Sequence, residues 1–547
     1  MADCNIAAAL HEVAAVRADE IALVTGKKGR YRKWNFAQVL ANSNRYANGL
    51  LKSGVKRGDR VMLMVRPSME FICLTFALFQ MGAVVILIDP GMGYKNLLRC
   101  IGSVQPSVLL AIPQVQLFAR FFAKPFITVR QRICVGPSLG LFGKTLHSLC
   151  RKAEADFSPV RTQQNELAAI IFTTGSTGPP KGVQYNHGIF FSQLELIRDY
   201  YGIGAGDVDQ PGFPLFGLFA TALGATAVIP DMNPTRPARV DPEKFVRSLI
   251  DWQVTYSFGS PAIWNVVSRY CIDRGISLPV KKILMAGAPV SGELIKRVQQ
   301  IIPPEGEIFT PYGATESLPL ASITGKEILR ETWPQTRQGR GACVGRPLPG
   351  MRVDIIAPVD GVIRSWEEAV KLPACEIGEI VAKGPVVTSA YDHNEPETRH
   401  AKIPDQDSIR HRMGDMGFID RQGRLWFCGR KAHRVLTANG VMYSVCCEAI
   451  FNEHPLVRRS ALVGIGSPGD ELPVIIVELS ENVENEAAFF AELKALGLEN
   501  PLTESITTFL IHTAFPVDIR HNAKIFREKL ALWAAKKLHL RACEKGL

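Results

Sequence analysis

The chain predicts an α/β protein. A large N-terminal domain of layered α/β subdomains carries a β-rich subdomain at its end, and a small α+β C-terminal domain follows. Three observations lead there. The 547 residues exceed what one ordinary core holds. Through most of the first 350 or so residues, apolar helical stretches alternate with short β-branched runs, the pattern of largely parallel sheets covered by helices. From about Val344 the texture changes to shorter runs punctuated by Gly and Pro, as in VGRPLPGMRVDIIA.

Taken in order, residues 71–88, FICLTFALFQMGAVVILI, are apolar for the length of a membrane span. Gln80 and Gly82 divide them. The first part is helical in character, and Ala83-Val-Val-Ile-Leu-Ile88 is β-branched and ends at the turn Asp89-Pro90-Gly91. The segment is read as a buried helix followed by a buried strand. Residues 167–172 form a strand-like apolar run, as do 227–229, 282–285 and 308–310. The hairpin-like FIDRQGRLWFCG ends near Gly429-Arg430-Lys431, which predicts a boundary between residues 1–429 and 430–547.

Twelve cysteines lie scattered, and the adjacent Cys446-Cys447 pair suits neither a disulfide nor a metal. The first twenty residues show no signal-peptide pattern, so reduced thiols and a cytoplasmic location are expected. The net charge of +11 suits anionic small molecules, ATP, carboxylates and CoA among them. No nucleic-acid-binding motif accompanies the charge, so no nucleic-acid partner is predicted. Basic residues interleave with aromatics in residues 117–132, LFARFFAKPFITVRQR. Two readings of that segment stay open, contact with an acidic membrane surface and a solvated basic face over core aromatics.

The most informative stretch is residues 172–182, FTTGSTGPPKG. Gly175, Gly178 and Gly182 let backbone amides approach an anion closely. Thr173, Thr174, Ser176 and Thr177 add hydroxyl donors, and Lys181 adds a charge. Together they have the chemistry of a polyphosphate cradle. It is not a Walker A loop, which would need Gly-Lys-Ser/Thr four residues after a glycine.

The order of residues in this stretch resembles the phosphate loop of the AMP-forming adenylating enzymes: acyl-CoA ligases, luciferases and peptide-synthetase adenylation domains. Further segments fall in the order that family requires. TPYGATES, residues 310–317, is similar to its second signature. The resemblance implies that Tyr312 stacks on adenine beside Gly313, Thr315 contacts phosphate and Glu316 holds Mg2+, roles that suit a π face and a carboxylate. Gly287, Ala288 and Pro289, after KKILM, resemble the turn lining the adenine pocket. Asp415 in MGD matches the ribose-binding aspartate, and Arg430 in CGRK matches the hinge-side arginine that contacts ribose or phosphate. Lys524 in FPVDIRHNAKIFREKL resembles the lysine of the mobile C-terminal domain that bridges carboxylate and α-phosphate during adenylation. The implied reaction joins a carboxylate and ATP to give acyl-AMP and pyrophosphate, with ATP and Mg2+ as cofactors.

Three segments depart from the common family pattern. Ala432 stands in GRKAHRVLTANG where many relatives have Asp or Lys. The lysine loop spells RHNAK rather than a Thr/Ser-Gly-Lys ending. Gly217 in FPLFGLF replaces the histidine of many acyl-CoA ligases. The first two touch the machinery that swings the small domain toward a thiol acceptor. Together with VRPSMEF, PDMNPTRPA, FGSPA, HRMGD and RLWFCGRK, they resemble the β-lactone synthetases of bacterial long-chain olefin biosynthesis. That resemblance implies a long-chain 2-alkyl-3-hydroxy fatty acid as substrate, other olefin-pathway enzymes as partners, and no need for an external thiol. CoA or a carrier protein stays open as an acceptor, and the alternative reading is a long-chain fatty acyl-CoA or acyl-carrier-protein ligase. A further alternative is a binder without catalysis. Residues 213–223 and 258–264 are expected in the acyl tunnel walls. His187 and His521 are candidates for a base toward the substrate hydroxyl.

Overall fold

The computed structural model describes residues 4–27, 29–138, 140–173, 179–518 and 524–544. Two seven-stranded sheets dominate the first 310 or so residues. One runs in the order Lys144–Thr145, Gln131–Cys134, Val108–Ala111, Arg60–Met64, Val84–Leu87, Leu167–Phe172, Gly182–Asn186. The other runs Glu307–Phe309, Lys282–Met285, Tyr256–Gly259, Val208–Asp209, Thr226–Ile229, Ile21–Lys27, Arg30–Asn35. In both, every pairing is parallel except the last, where a hairpin return adds an antiparallel edge. The β-branched runs read from the sequence supply the parallel strands, which are buried on both faces and so need no polar alternation.

The main core lies where helices cover these sheets. The helix Met69–Gln80 is buried along nearly its whole circumference, with Ile72, Phe76 and Phe79 fully enclosed. A helix apolar all round can only be stable in such a place. Its N-cap Ser68 accepts from the Phe71 amide, and it ends before Val84–Leu87, so the apolar run 71–88 is a buried helix and a buried strand. Among the described residues no helix is long and apolar enough to cross a membrane.

The third sheet has eight strands, antiparallel throughout. It begins earlier than expected, at Tyr312–Ala314 rather than near Val344. The early strands Tyr312–Ala314 and Ser317–Ser322 are short and rich in Gly, Pro and Ser, and the wide helical turns of residues 328–340 then interrupt them. Those turns carry an apolar-polar texture that reads as more helix-strand alternation.

Beyond Arg430 a three-stranded sheet forms from Val457–Ile465, Leu472–Leu479 and Thr508–Ile511, with helices Ser444–Phe451, Glu486–Leu498 and Arg527–Glu544. Its side chains alternate between two apolar layers: Leu462, Ile475 and Val477 on one face, Ala461, Val463, Val474 and Ile476 on the other. This region meets the rest of the chain at residues 337–340. Arg337 Nε donates to Glu453 at 2.6 Å, and the Asn500 amide donates to the Gln338 carbonyl at 3.2 Å. The eleven cysteines whose side chains are described are all free thiols.

Candidate active site

The strand Leu167–Phe172 delivers the phosphate loop, and Gly182–Asn186 takes the chain back beside it, with Phe172 opposite Gly182. Two hydrogen bonds close the neck. The Thr173 amide donates to the Lys181 carbonyl at 3.0 Å, and the Lys181 amide donates to Thr173 Oγ1 at 3.1 Å. Thr174, Gly175, Ser176, Thr177 and Gly178 lie outside the described residues. The Lys181 ammonium is ion-paired with Glu397 and sits 5.0 Å from the centre of the Tyr391 ring.

The second signature forms a tight hairpin. A Cβ at Gly313 would stand 2.4 Å from the Ser317 carbonyl oxygen, so only glycine fits. The Tyr185 hydroxyl donates to the Thr315 carbonyl at 2.5 Å and Gln193 donates to the Leu318 carbonyl at 2.7 Å, pinning the turn to the neighbouring helix and strand. Glu316 is 8% exposed. Its Oε1 accepts from the Tyr391 hydroxyl at 2.7 Å. Its carbonyl accepts from both the amide and the hydroxyl of Thr388, at 2.9 and 3.1 Å. Behind Thr388 stands Lys402, whose ammonium donates to Thr388 Oγ1 at 3.1 Å. Burial pushes the Lys402 pKa down to about 7, against the pull of the Glu316 carboxylate.

The other half of the site is built on a cross-strand pair. Asp415 and Arg430 face each other in antiparallel register, and Arg430 Nη1 lies 2.9 Å from Asp415 Oδ1. Asp415 Oδ2 accepts from the Tyr312 hydroxyl at 2.5 Å. Burial raises the Asp415 pKa, while Arg430, the Tyr312 hydroxyl and Lys524 all pull it down. Tyr312 is held well above its ordinary value by burial and then by the Asp415 charge, so it stays a phenol and a donor.

Lys524 therefore lies within electrostatic reach of Asp415. It closes a hairpin neck in which the Asp518 amide donates to the Lys524 carbonyl at 2.9 Å and Val517 bridges Ile525. Arg527 anchors this neck through a two-pronged pair with Glu448, at 2.8 and 2.7 Å. The turn Gly287-Ala288-Pro289 follows the strand Lys282–Met285, and Gly287 takes φ +95°. The adjacent parallel strand Glu307–Phe309 runs directly into Tyr312, so both loops leave the carboxyl ends of neighbouring strands, where open α/β sheets bind ligands.

The chain thus brings Tyr312, Asp415 and Arg430 together, with the charge of Lys524 acting on Asp415, and joins Glu316 to Lys181 through Tyr391. His187 is fully buried at the start of the helix His187–Asp199, its ring edge-on to Phe79 at 5.9 Å. His521 lies outside the described residues. Gly217 packs within the helix Phe216–Ala222 against Ile72, Ala227 and Ile229. Phe216 and Phe258 stack with ring centres 3.6 Å apart, bringing the two expected tunnel segments into contact. Tyr391, Glu397 and Lys402 were not singled out as site residues from the sequence. The clue present was Tyr391 just before NEPET, which contains Glu397, downstream of a buried strand.

A single carboxylate, nearly buried and oriented by a phenol, suits a hard cation such as Mg2+ that takes its remaining ligands from phosphate oxygens and water. Among the described residues no group of three or more His, Cys, Asp or Glu could hold a metal alone. Glu316 fits as the protein's contribution to a cation shared with a nucleotide.

Comparison with known proteins matches the family described as "AMP-binding enzyme" over residues 10–392. The chain is 45% identical to the olefin beta-lactone synthetase of Xanthomonas campestris pv. campestris, over 97% of this chain and 98% of that one. It is 42% identical to the olefin beta-lactone synthetase of Stenotrophomonas maltophilia, over 98% and 99%. Among solved structures, ATP-bound MatB from Rhodopseudomonas palustris superposes with a TM-score of 0.77 at 21% identity, over 98% of this chain and 99% of that one, a likeness of fold. The chain is an AMP-forming ligase and belongs to the AMP-binding enzyme family, in the group that includes the olefin beta-lactone synthetases.

Proposed function

We propose that the enzyme activates a long-chain 2-alkyl-3-hydroxy fatty acid with ATP and closes it to a β-lactone, releasing AMP and pyrophosphate. The observation that carries this is the identity of 45% along nearly the whole chain to an olefin beta-lactone synthetase. In the first step a carboxylate oxygen attacks the α-phosphorus, and the bond to the β-phosphate bridging oxygen breaks, leaving pyrophosphate with the electron pair. In the second, the 3-hydroxyl oxygen attacks the acyl carbon, its proton passes to solvent, and the acyl–phosphate bond breaks to release AMP with the electron pair. Holding the hydroxyl on the same molecule supplies the proximity that a thiol acceptor would otherwise need.

The residues divide the work. Tyr312 and the turn Gly287-Ala288-Pro289 hold the adenine, and Asp415 with Arg430 holds the ribose. Lys181, Thr173, Thr315 and the loop residues Thr174, Gly175, Ser176, Thr177 and Gly178 hold the phosphates. Lys524 sits between the carboxylate and the α-phosphate, where negative charge gathers. Mg2+ at Glu316 supplies charge neutralisation on the phosphate oxygens. In this reading residues 430–547 are a mobile domain that brings Lys524 to the site, the enzyme works in the cytoplasm, other olefin-pathway enzymes are its partners, and no CoA is consumed.

Mass spectrometry of the products from ATP, Mg2+ and a 2-alkyl-3-hydroxy acid, with and without CoA, tests it. The expected result is a β-lactone and AMP in the absence of CoA, and acyl-AMP alone from the acid lacking the 3-hydroxyl. Acyl-CoA formed only when CoA is added would make the enzyme a conventional long-chain ligase.

A further inference from the structure

Helices Tyr94–Val104 and Pro113–Phe121 and the turn Lys124–Phe126 build one corner of the N-terminal sheet, where large apolar side chains face solvent. Ile127 is 84% exposed, Phe121 77% and Tyr94 58%, with Leu117 and Phe122 also open. The rings of Phe118 and Phe122 are 4.7 Å apart and those of Tyr94 and Phe122 6.4 Å, so these three adjoin, and Leu117, Phe121 and Ile127 are exposed on the same helix and the turn that follows it. Contiguous exposed apolar surface marks an interaction site, whereas scattered apolar residues do not.

The charge around the patch is as unusual as the patch. Between Asp89 and Glu154 the chain carries nine lysines and arginines and no aspartate or glutamate, within a whole-chain net charge of +11. Lys95, Arg99, Arg120 and Lys124 are exposed on the same helices and turn, and none forms an ion pair with a described residue. Elsewhere several surface arginines are paired with acids, Arg17–Glu20, Arg198–Asp199 and Arg247–Glu243 among them.

We propose that this corner docks the enzyme on the surface of a bilayer containing anionic lipid. Phe121, Phe122, Ile127 and Leu117 would enter the boundary between headgroups and acyl chains, Tyr94 would sit at headgroup level, and the four cations would meet lipid phosphates. A second copy of the chain is a poor occupant, because two acid-free basic faces repel. Nucleic acid is also a poor one, because Leu117 and Ile127 offer nothing to a phosphodiester backbone. A substrate with two alkyl chains partitions into bilayers, so docking there would bring site and substrate together, but the surface stands without that reading.

The test is co-sedimentation of the full chain with phosphatidylglycerol/phosphatidylethanolamine vesicles and with phosphatidylcholine vesicles, at low and high salt. Enrichment on the anionic vesicles that weakens with salt is expected. The triple variant Phe121→Ser, Phe122→Ser, Ile127→Ser and the double variant Arg120→Glu, Lys124→Glu should each lower the bound fraction about tenfold. Both should keep the thermal midpoint and ATP–pyrophosphate exchange with a short soluble acid, since the side chains are on the surface. Wild-type protein left in the supernatant with anionic vesicles, or a triple variant that binds as wild type does, would overturn the proposal. So would a dimer that the triple variant converts to monomer, or tighter binding to a DNA duplex than to the vesicles.

Discussion

The Tyr391 hydroxyl donates to Oε1 of Glu316 at 2.7 Å, across 75 residues of sequence, while its ring faces the Lys181 ammonium. One tyrosine therefore touches both the carboxylate proposed to hold the cation and the lysine proposed to hold phosphate. Ligands of metals are tuned by the groups that hydrogen-bond them, and loss of such a partner costs about 10- to 100-fold in metal affinity. Tyr391→Phe keeps the ring under Lys181 and removes only the donor. Pyrophosphate release measured against Mg2+ concentration should show half-saturation raised about tenfold, with the maximal rate much less affected. An unchanged Mg2+ dependence would mean that the phenol serves folding alone.

Asp415 is the hub of the other half-site. It joins Tyr312 and Arg430, and it is nearly buried. Asp415→Asn preserves the shape but leaves Arg430 without its counter-charge, and breaking a largely buried pair from one side costs about 3 kcal/mol. A lower unfolding midpoint and AMP affinity weakened at least tenfold are expected together. Tyr312→Phe removes one hydrogen bond and keeps the ring, so its stability loss should be about 1 kcal/mol and its AMP affinity nearer wild type. Equal AMP affinity in all three proteins, read by calorimetric titration, would remove Asp415 from the nucleotide site.

How far the sequence carried these conclusions depended on the kind of signal. Local ones were legible. Val84–Leu87 and Leu167–Phe172 are short β-branched or apolar runs closed by turn residues, and the phosphate loop is a dense cluster of glycines and hydroxyls around Lys181. Partners of partners were not. Glu397 reaches Lys181 over 216 residues, and a glutamate in the first turn of a short helix, beside Glu395, carries no mark of that contact. Lys402 sits in a strand between His400 and Asp405 and reads as a solvated charge, yet the antiparallel register opposite His411 turns it inward. The third sheet's early start at Tyr312 was hidden by its glycine and prolines, residues that usually break strands but here make a tight hairpin.

Two lysines are assigned different parts of the same step. Lys181 sits at the neck of the loop that follows Phe172, and the charge of Lys524 acts on Asp415. Lys181→Ala should weaken ATP binding and adenylation together. Lys524→Ala should lower ATP–pyrophosphate exchange about 100-fold or more while leaving ATP affinity within a fewfold, because its charge acts mainly as the transition state forms. Equal ATP-dependent turnover in the Lys524 variant would sink that assignment.

Lys402 should leave a signature in stability against pH. It is enclosed by Thr388, Glu316 and His411, and its pKa falls from 10.5 to about 7. The unfolded chain keeps the ordinary value. Between pH 7 and 10.5 the unfolded state therefore binds the proton that the folded state has released, and stability rises with pH across that window. Below about 7 both states are charged on this side chain and its penalty is constant. His411, buried and held neutral, adds a separate loss that begins only below its ordinary value of 6.5, so the alkaline window isolates the lysine. Lys402→Met, close in shape and uncharged, should flatten the profile from pH 7 to 10 and raise stability at pH 7 by on the order of 3 kcal/mol. Urea unfolding at pH 7, 8.5 and 10 reads this directly. A variant whose stability rises with pH as steeply as the wild type's would show that Lys402 enters the folded state already charged, paired electrostatically with Glu316.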